Sequence, residues 1–263
     1  MFPLMQNILG LPELASEHGA DVDKFIIYIH YLMAALFVGW GAYFLYALLR
    51  FRRERNPKAD YVGVTSHASS YLELAVACVE IVLLVGFAVP LWAKVVDKFP
   101  AEKDSIIVRI TGQQFAWGAR YTGPDLKFGK QDINLVSSSN PMGLLQLDDK
   151  QKAADPDGKD DVTLAAGSEI LVPLNKPVIA SISSMDVIHS FKIPAMRITQ
   201  DAIPGMRIPT HFTATKLGVY QINCAQLCGI GHSSMKGIFK VVPQAEFDAF
   251  IKSKQGAAPV SFE

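Results

Sequence analysis

The sequence predicts a membrane-anchored all-β protein, in which a two-helix transmembrane hairpin is followed by a β-sandwich or barrel. Three observations predict it. Two long apolar runs lie near the start, a cluster of arginines separates them, and the rest of the chain turns to short alternating runs broken by Gly, Pro, Asn and Asp.

The first run, Phe25 to Leu49, carries no formally charged side chain and exceeds the ~20 residues that cross a bilayer. The second, Leu74 to Ala93, is interrupted only by Glu80 and ends near Pro90 and Trp92. Between them, Arg50, Arg52, Arg53, Arg55 and Lys58 form the kind of basic loop that is retained in the cytoplasm, so both termini are expected outside. The first two dozen residues lack a basic start, a clean apolar stretch and a small-residue cleavage site, so no removable signal peptide is expected. An ionisable group in hydrocarbon is costly unless it faces protein or water, so Glu80 and Glu73 predict a membrane partner, either as paired carboxylates or as proton-handling groups. His30 and Cys78 read as packing residues.

After Lys94, the runs SIIVRITG, EILVPLN, PVIASISS, RIPTHFTAT, GVYQIN and KGIFKVV predict short strands of a sandwich or barrel. PQAEFDAFIKSK predicts a short helix, opened by Pro243 and carrying Phe247 and Phe250 at helical spacing. The polar stretch LDDKQKAADPDGKDD lacks the ligand spacing of an EF-hand and reads as a solvated loop. The expected divisions are an outward segment (1–24), the hairpin with its basic loop (25–96), the β domain (97–256) and a frayed tail (257–263).

With 25 basic and 25 acidic side chains the net charge is zero, which argues against nucleic acid as a partner. Three cysteines are too few for a disulfide scaffold. Two of them open the informative segment CAQLCGIGHSSM, where Cys224 and Cys228 are followed by His232 and Met235. Thiolates and a thioether are soft donors suited to copper(I), and imidazole suits both copper oxidation states. Two nearby thiolates can bridge two copper ions, and the metal keeps both deprotonated. Gly229 and Gly231 let the loop bend around the metal. A zinc site has no use for Met235, and a disulfide or redox pair has no use for His232 and Met235. The second imidazole must come from elsewhere: His189, at a strand edge in DVIHSFKIP, is the first candidate and His211 the competing one.

DVIHSFKIP, TQDAIPG, FTATKLGVY and CAQLCGIGHSSM, in that order and spacing, resemble subunit II of cytochrome c oxidases. The resemblance extends over nearly the whole chain. It implies a cupredoxin-like barrel over 97–256 and a dinuclear copper A centre, bridged by Cys224 and Cys228. His189 and His232 would be the terminal ligands, with Met235 and the main-chain oxygen of Gln226 as weak ones. Many relatives carry a glutamate at position 226 whose side chain binds magnesium shared with subunit I, and Gln226 has no carboxylate to offer such an ion. The tryptophan assigned to electron uptake in the family is replaced by Phe115, and Trp117 stands two residues on. Glu73 matches the spacing, relative to Pro90, of a glutamate at the mouth of a proton path into subunit I.

The implied activity is transfer of electrons from cytochrome c, or a haem c subunit, through the copper pair to haem in subunit I, where dioxygen is reduced. Subunit I, further oxidase subunits and membrane lipid are the implied partners. The implied location is a bacterial inner membrane with the copper domain outside. Three other readings share parts of the pattern. A copper-delivery protein of the Sco type uses Cys-x-x-x-Cys and a remote His on a thioredoxin-like domain. A nitrous-oxide reductase carries the loop beside a large propeller, and a quinol-oxidase subunit II has the anchors and barrel without the cysteines.

Overall fold

The computed structural model describes residues 7–58, 61–63, 65–137, 140, 142–145 and 148–255. It divides into two compact units, one comprising Met1–Leu11 and Asp21–Lys94, the other Pro12–Ala20 and Val95–Glu263.

The first unit is built on two helices. Helix α1, Gly19–Arg50, has 32 residues, and the second helical stretch, Ala68–Val96, has 29. At 1.5 Å per residue each exceeds the roughly 30 Å of a bilayer's hydrocarbon core. Their apolar side chains are exposed, among them Phe37, Phe44, Leu74 and Val85, as lipid-facing surfaces require. The second stretch is continuous but not uniform: α2 (Ala68–Leu83) passes through a π-helical turn (Leu84–Ala88) into α3 (Val89–Val96). Pro90 explains the wide turn, since its ring would clash with the carbonyl four residues back and it has no N–H to give. The N–H of Val89 reaches instead to the carbonyl of Leu84. His30 is bonded through Nδ1 to the carbonyl of Ile26 at 2.8 Å, a helix-internal contact consistent with a packing role.

The second unit contains two five-stranded sheets. One has the order β3 (Val162–Leu164), β2 (Ala116–Tyr121), β1 (Ile106–Gln113), β5 (Pro177–Ser184), β8 (Ile208–Thr213). The other has the order β4 (Ile170–Pro173), β10 (Lys236–Val242), β9 (Gly218–Cys224), β6 (His189–Ile193), β7 (Ile198–Ala202). Alternation decides which face is buried. Val108 and Ile110 of β1, and Val178, Ala180 and Ile182 of β5, turn into a core that meets Phe191, Ile222 and Phe239 of the other sheet. Tyr121 ties the sheets together, because its hydroxyl donates to the carbonyl of Leu171 at 2.9 Å and accepts from the N–H of the same residue at 3.1 Å. The C-terminal helix α5 (Gln244–Lys254) lays Phe247 and Phe250 edge-on against that ring.

The barrel also takes up residues that precede the first helix. The N–H of Ala15 donates to Ala195, that of Glu17 to Thr213, and that of Thr215 to Ala15. The Ser16 hydroxyl donates to the carbonyl of Met196 at 2.6 Å.

The acidic stretch is mostly exposed, as its composition predicts, but it is not wholly a loop and part of it turns inward. A short helix α4, Asp149–Ala154, forms there with Asp148 as its cap. Asp155 and Asp161 are drawn inward, where they accept from the N–H groups of Lys130 and Gly129, and Asp161 pairs with the buried Arg120. Buried donors need acceptors, and these carboxylates supply them. The expected tail, 257–263, lies outside the described residues.

Candidate metal centre

The centre sits at one end of the second sheet, and strand order explains why. β10, β9 and β6 are neighbours. Cys224 is the last residue of β9, Met235 immediately precedes β10, and His189 opens β6, so one hairpin loop and one adjacent strand end bring all the candidate ligands together. The N–H of Cys224 donates to the carbonyl of Met235 at 3.2 Å and closes the loop at its base.

All six residues singled out from the sequence converge. The two sulfurs, Cys224 Sγ and Cys228 Sγ, are 3.8 Å apart. His189 Nδ1 lies 3.9 Å from the first and His232 Nδ1 3.6 Å from the second. The carbonyl oxygen of Gln226 is 3.1 Å from Cys224 Sγ, and Met235 Sδ is 3.7 Å from Cys228 Sγ. Each thiol thus has one imidazole nitrogen and one weaker donor beside it. His189, Cys228 and Met235 are buried, whereas Cys224 and His232 are partly open to solvent. Burial, and then the neighbouring Cys224, push the Cys228 thiol up to about 11. Two soft, closely spaced thiols are costly to ionise without a cation between them and natural copper ligands with one. The donor set therefore fits copper.

His211, the competing imidazole, is elsewhere. It lies on β8 opposite Ile179 and meets Phe99 in a tilted ring contact, with centroids 4.7 Å apart. Glu73 is exposed on α2, in the helical unit.

The shell around the ligands makes contacts that the sequence did not show. Asp186 accepts from His189 Nε2 at 2.8 Å, from the N–H of Gln114 at 2.7 Å and from the N–H of Val187 at 2.7 Å. Burial raises its pKa, but these donors outweigh burial and hold the carboxyl below its ordinary range. With Nδ1 turned toward the sulfurs, the imidazole proton resides on Nε2 and is given to this carboxylate. The Gln114 side chain donates to the carbonyl of Cys228 at 2.6 Å. A carboxylate three residues before a ligand histidine is a signal that sequence offers; a glutamine 114 positions from its partner is not.

Aromatic rings wall the site. Trp117 is buried, edge-on to His189 at 6.0 Å and to Phe191 at 5.3 Å. Gly112 makes room for this packing, since a Cβ there would lie 3.0 Å from both the His189 and the Trp117 rings. Phe115 is half-buried and lies against the loop. The two loop glycines are needed for different reasons: Gly229 has φ +130°, while a Cβ on Gly231 would stand 2.5–2.8 Å from the Phe115 ring.

Residues 106–242 match the family described as cytochrome c oxidase subunit II, periplasmic domain. Cytochrome c oxidase subunit 2 of Cereibacter sphaeroides is 29% identical over 89% of this chain and 75% of its own length. Alternative cytochrome c oxidase subunit 2 of Bradyrhizobium diazoefficiens is 28% identical over 91% of this chain and 82% of its own length. A crystal structure of the periplasmic domain of subunit II of cytochrome oxidase from Bradyrhizobium japonicum is 27% identical, covering 60% of this chain and 96% of that one, with a TM-score of 0.42. The chain belongs to the cytochrome c oxidase subunit II family. The Sco reading is set aside, because its thioredoxin-like α/β domain is absent from the described residues and His232 and Met235 take part in the site.

Proposed function

We propose that this chain is the copper-bearing subunit II of a cytochrome c oxidase, which takes electrons from cytochrome c or a haem c subunit and passes them to haem in subunit I for the reduction of dioxygen to water. One observation carries the reading: the two cysteine sulfurs lie 3.8 Å apart with a histidine Nδ1 beside each. Cys224 and Cys228 would bridge two coppers, His189 and His232 would be terminal ligands, and Met235 and the Gln226 carbonyl would complete the pair. When bound, such a pair supplies a one-electron couple whose charge is shared by two ions. The protein's own contribution is to hold the donors still. Three adjacent strands fix their backbone, Asp186 fixes the His189 ring, and Trp117, Phe191 and Met235 exclude water from one side.

Residues 12–17 support the proposed membrane orientation. Their hydrogen bonds to residues 195 and 213–215 keep the segment before α1 on the barrel's side of the membrane. Two spans then return the chain to that side, and the basic loop falls on the cytoplasmic face of a bacterial inner membrane. Phe115, which rests on the loop glycines, is better placed than the buried Trp117 for electron uptake from a docked donor. Gln226 leaves a magnesium ion at the subunit I boundary without its carboxylate, and Glu73 is proposed as a proton-uptake residue.

Electron paramagnetic resonance of the copper-loaded full chain in detergent tests the reading. One unpaired electron shared by two coppers gives a seven-line hyperfine pattern. A four-line mononuclear spectrum would refute the dinuclear assignment.

A further inference from the structure

On the outward face of the first sheet, Arg109 of β1 stands opposite Arg120 of β2 and Ser181 of β5, and Thr111 stands opposite Ser183. These side chains, with Arg207 just before β8, line a cavity of about 370 Å³. Arg120 is spoken for, since Asp161 pairs with it. Among the described residues, no carboxylate lines the cavity wall beside the other two arginines. They converge instead on one neutral atom: Arg207 Nη2 donates to Gln131 Oε1 at 2.9 Å, and Arg109 Nη1 lies 3.5 Å from the same oxygen. Arg109 is further fixed by Phe128, whose ring centroid lies 3.9 Å from the guanidinium carbon. Burial, then the charges of Arg207 and Arg120, hold its pKa down to about 10 against the opposing charge of Asp161.

Two cations held on a single amide oxygen, in a half-buried pocket floored by hydroxyls, have beside them only the charge of Asp161, which is already paired with Arg120. We propose that this cavity binds a small oxyanion, a phosphate or carboxylate group, between Arg109 and Arg207, with the hydroxyls of Thr111, Ser181 and Ser183 as further donors. The volume lies within the ~300–1,000 Å³ typical of small-molecule pockets and admits a polyatomic anion. Gln131 marks the position: its carbonyl oxygen occupies the point where an anion oxygen would sit, and its amide is held from behind by the carbonyl of Met142 at 3.0 Å.

Isothermal titration of the copper-loaded full chain in detergent, with inorganic phosphate and with citrate at ionic strength fixed by chloride, tests it. Saturable single-site binding is expected for at least one of the two, and which one identifies the group. Arg207→Gln, at an exposed position, is expected to weaken binding tenfold or more, and Arg109→Gln likewise. Gln131→Glu supplies the anion from within, so it is expected to abolish binding and raise the melting temperature. An unchanged copper spectrum in each variant verifies the fold. The proposal is overturned if neither anion binds, or if binding survives Arg207→Gln and Gln131→Glu in chains with that spectrum.

Discussion

Replacing Asp186 by Asn removes one charge from a carboxylate that touches no metal, and it isolates what that carboxylate does for the copper ligand behind it. In the folded chain Asp186 accepts from His189 Nε2 at 2.8 Å and from the N–H groups of Gln114 and Val187, both at 2.7 Å. An amide retains one accepting oxygen but presents an NH₂ to at least one of these donors. A hydrogen bond to a charged group contributes about 1.5–3 kcal/mol, and with 32% of the Asp186 side chain exposed the lower part of that range applies. Loss of an outer-shell partner of a ligating histidine lowers metal affinity about 10–100-fold, or ~1.4–2.7 kcal/mol, in agreement with the first figure. Copper affinity measured by competition with a chelator should therefore fall by that factor in Asp186→Asn, with the hyperfine pattern kept. An unchanged affinity would refute the claim that Asp186 orients His189.

Gly231→Ala places a methyl 2.5–2.8 Å from the Phe115 ring, and overpacking of this kind costs about 1–3 kcal/mol. The melting temperature and copper retention of Gly231→Ala should drop, and adding Phe115→Ala should restore copper retention; failure of the second change to help would mean that Gly231 serves another purpose. The ligand loop exposes Leu227 (76%) and Ile230, with Val187 and Ile188 beside His189 also exposed, so a donor meets mainly apolar surface there. Turnover with a soluble cytochrome c should fall less than about threefold between 50 and 200 mM salt, whereas electrostatically steered encounters change by about tenfold or more. A steep loss would point to charged docking residues away from this loop.

The legible parts of the sequence were those with a local cause. Apolar length marked both spans, and alternation marked β1 and β5 as strands. Cys224, Cys228, His232 and Met235 declared a soft-metal loop because their spacing is contained within one turn between strands. His189 is preferred over His211 because it reads as a strand edge whereas His211 lies among strand residues with no flanking turn, but only the strand order decides which one reaches the loop. Parts with a non-local cause were invisible. Asp155 and Asp161 read as solvated because the buried Arg120 that draws Asp161 inward lies some forty positions away. Gly112 reads as a mere strand glycine until the His189 and Trp117 rings are seen to fill the space where its side chain would be.

An electron relay has to favour neither oxidation state through movement, and the two halves of this site meet that requirement differently. On the His189 side, rigidity comes from the sheet: the ligand opens a strand, is fully buried, and donates a hydrogen bond from Nε2 to Asp186. On the His232 side the ligand belongs to the loop and is partly open, so its stiffness must come from elsewhere. Gln114 bonded to the Cys228 carbonyl, Phe115 pressed on Gly231, and the closure of Cys224 N–H on Met235 supply it. The adjacent pair Gln114 and Phe115, at the end of β1, therefore does for the loop what Asp186 does for the strand, and Gln114 joins the two halves directly through its own N–H to Asp186.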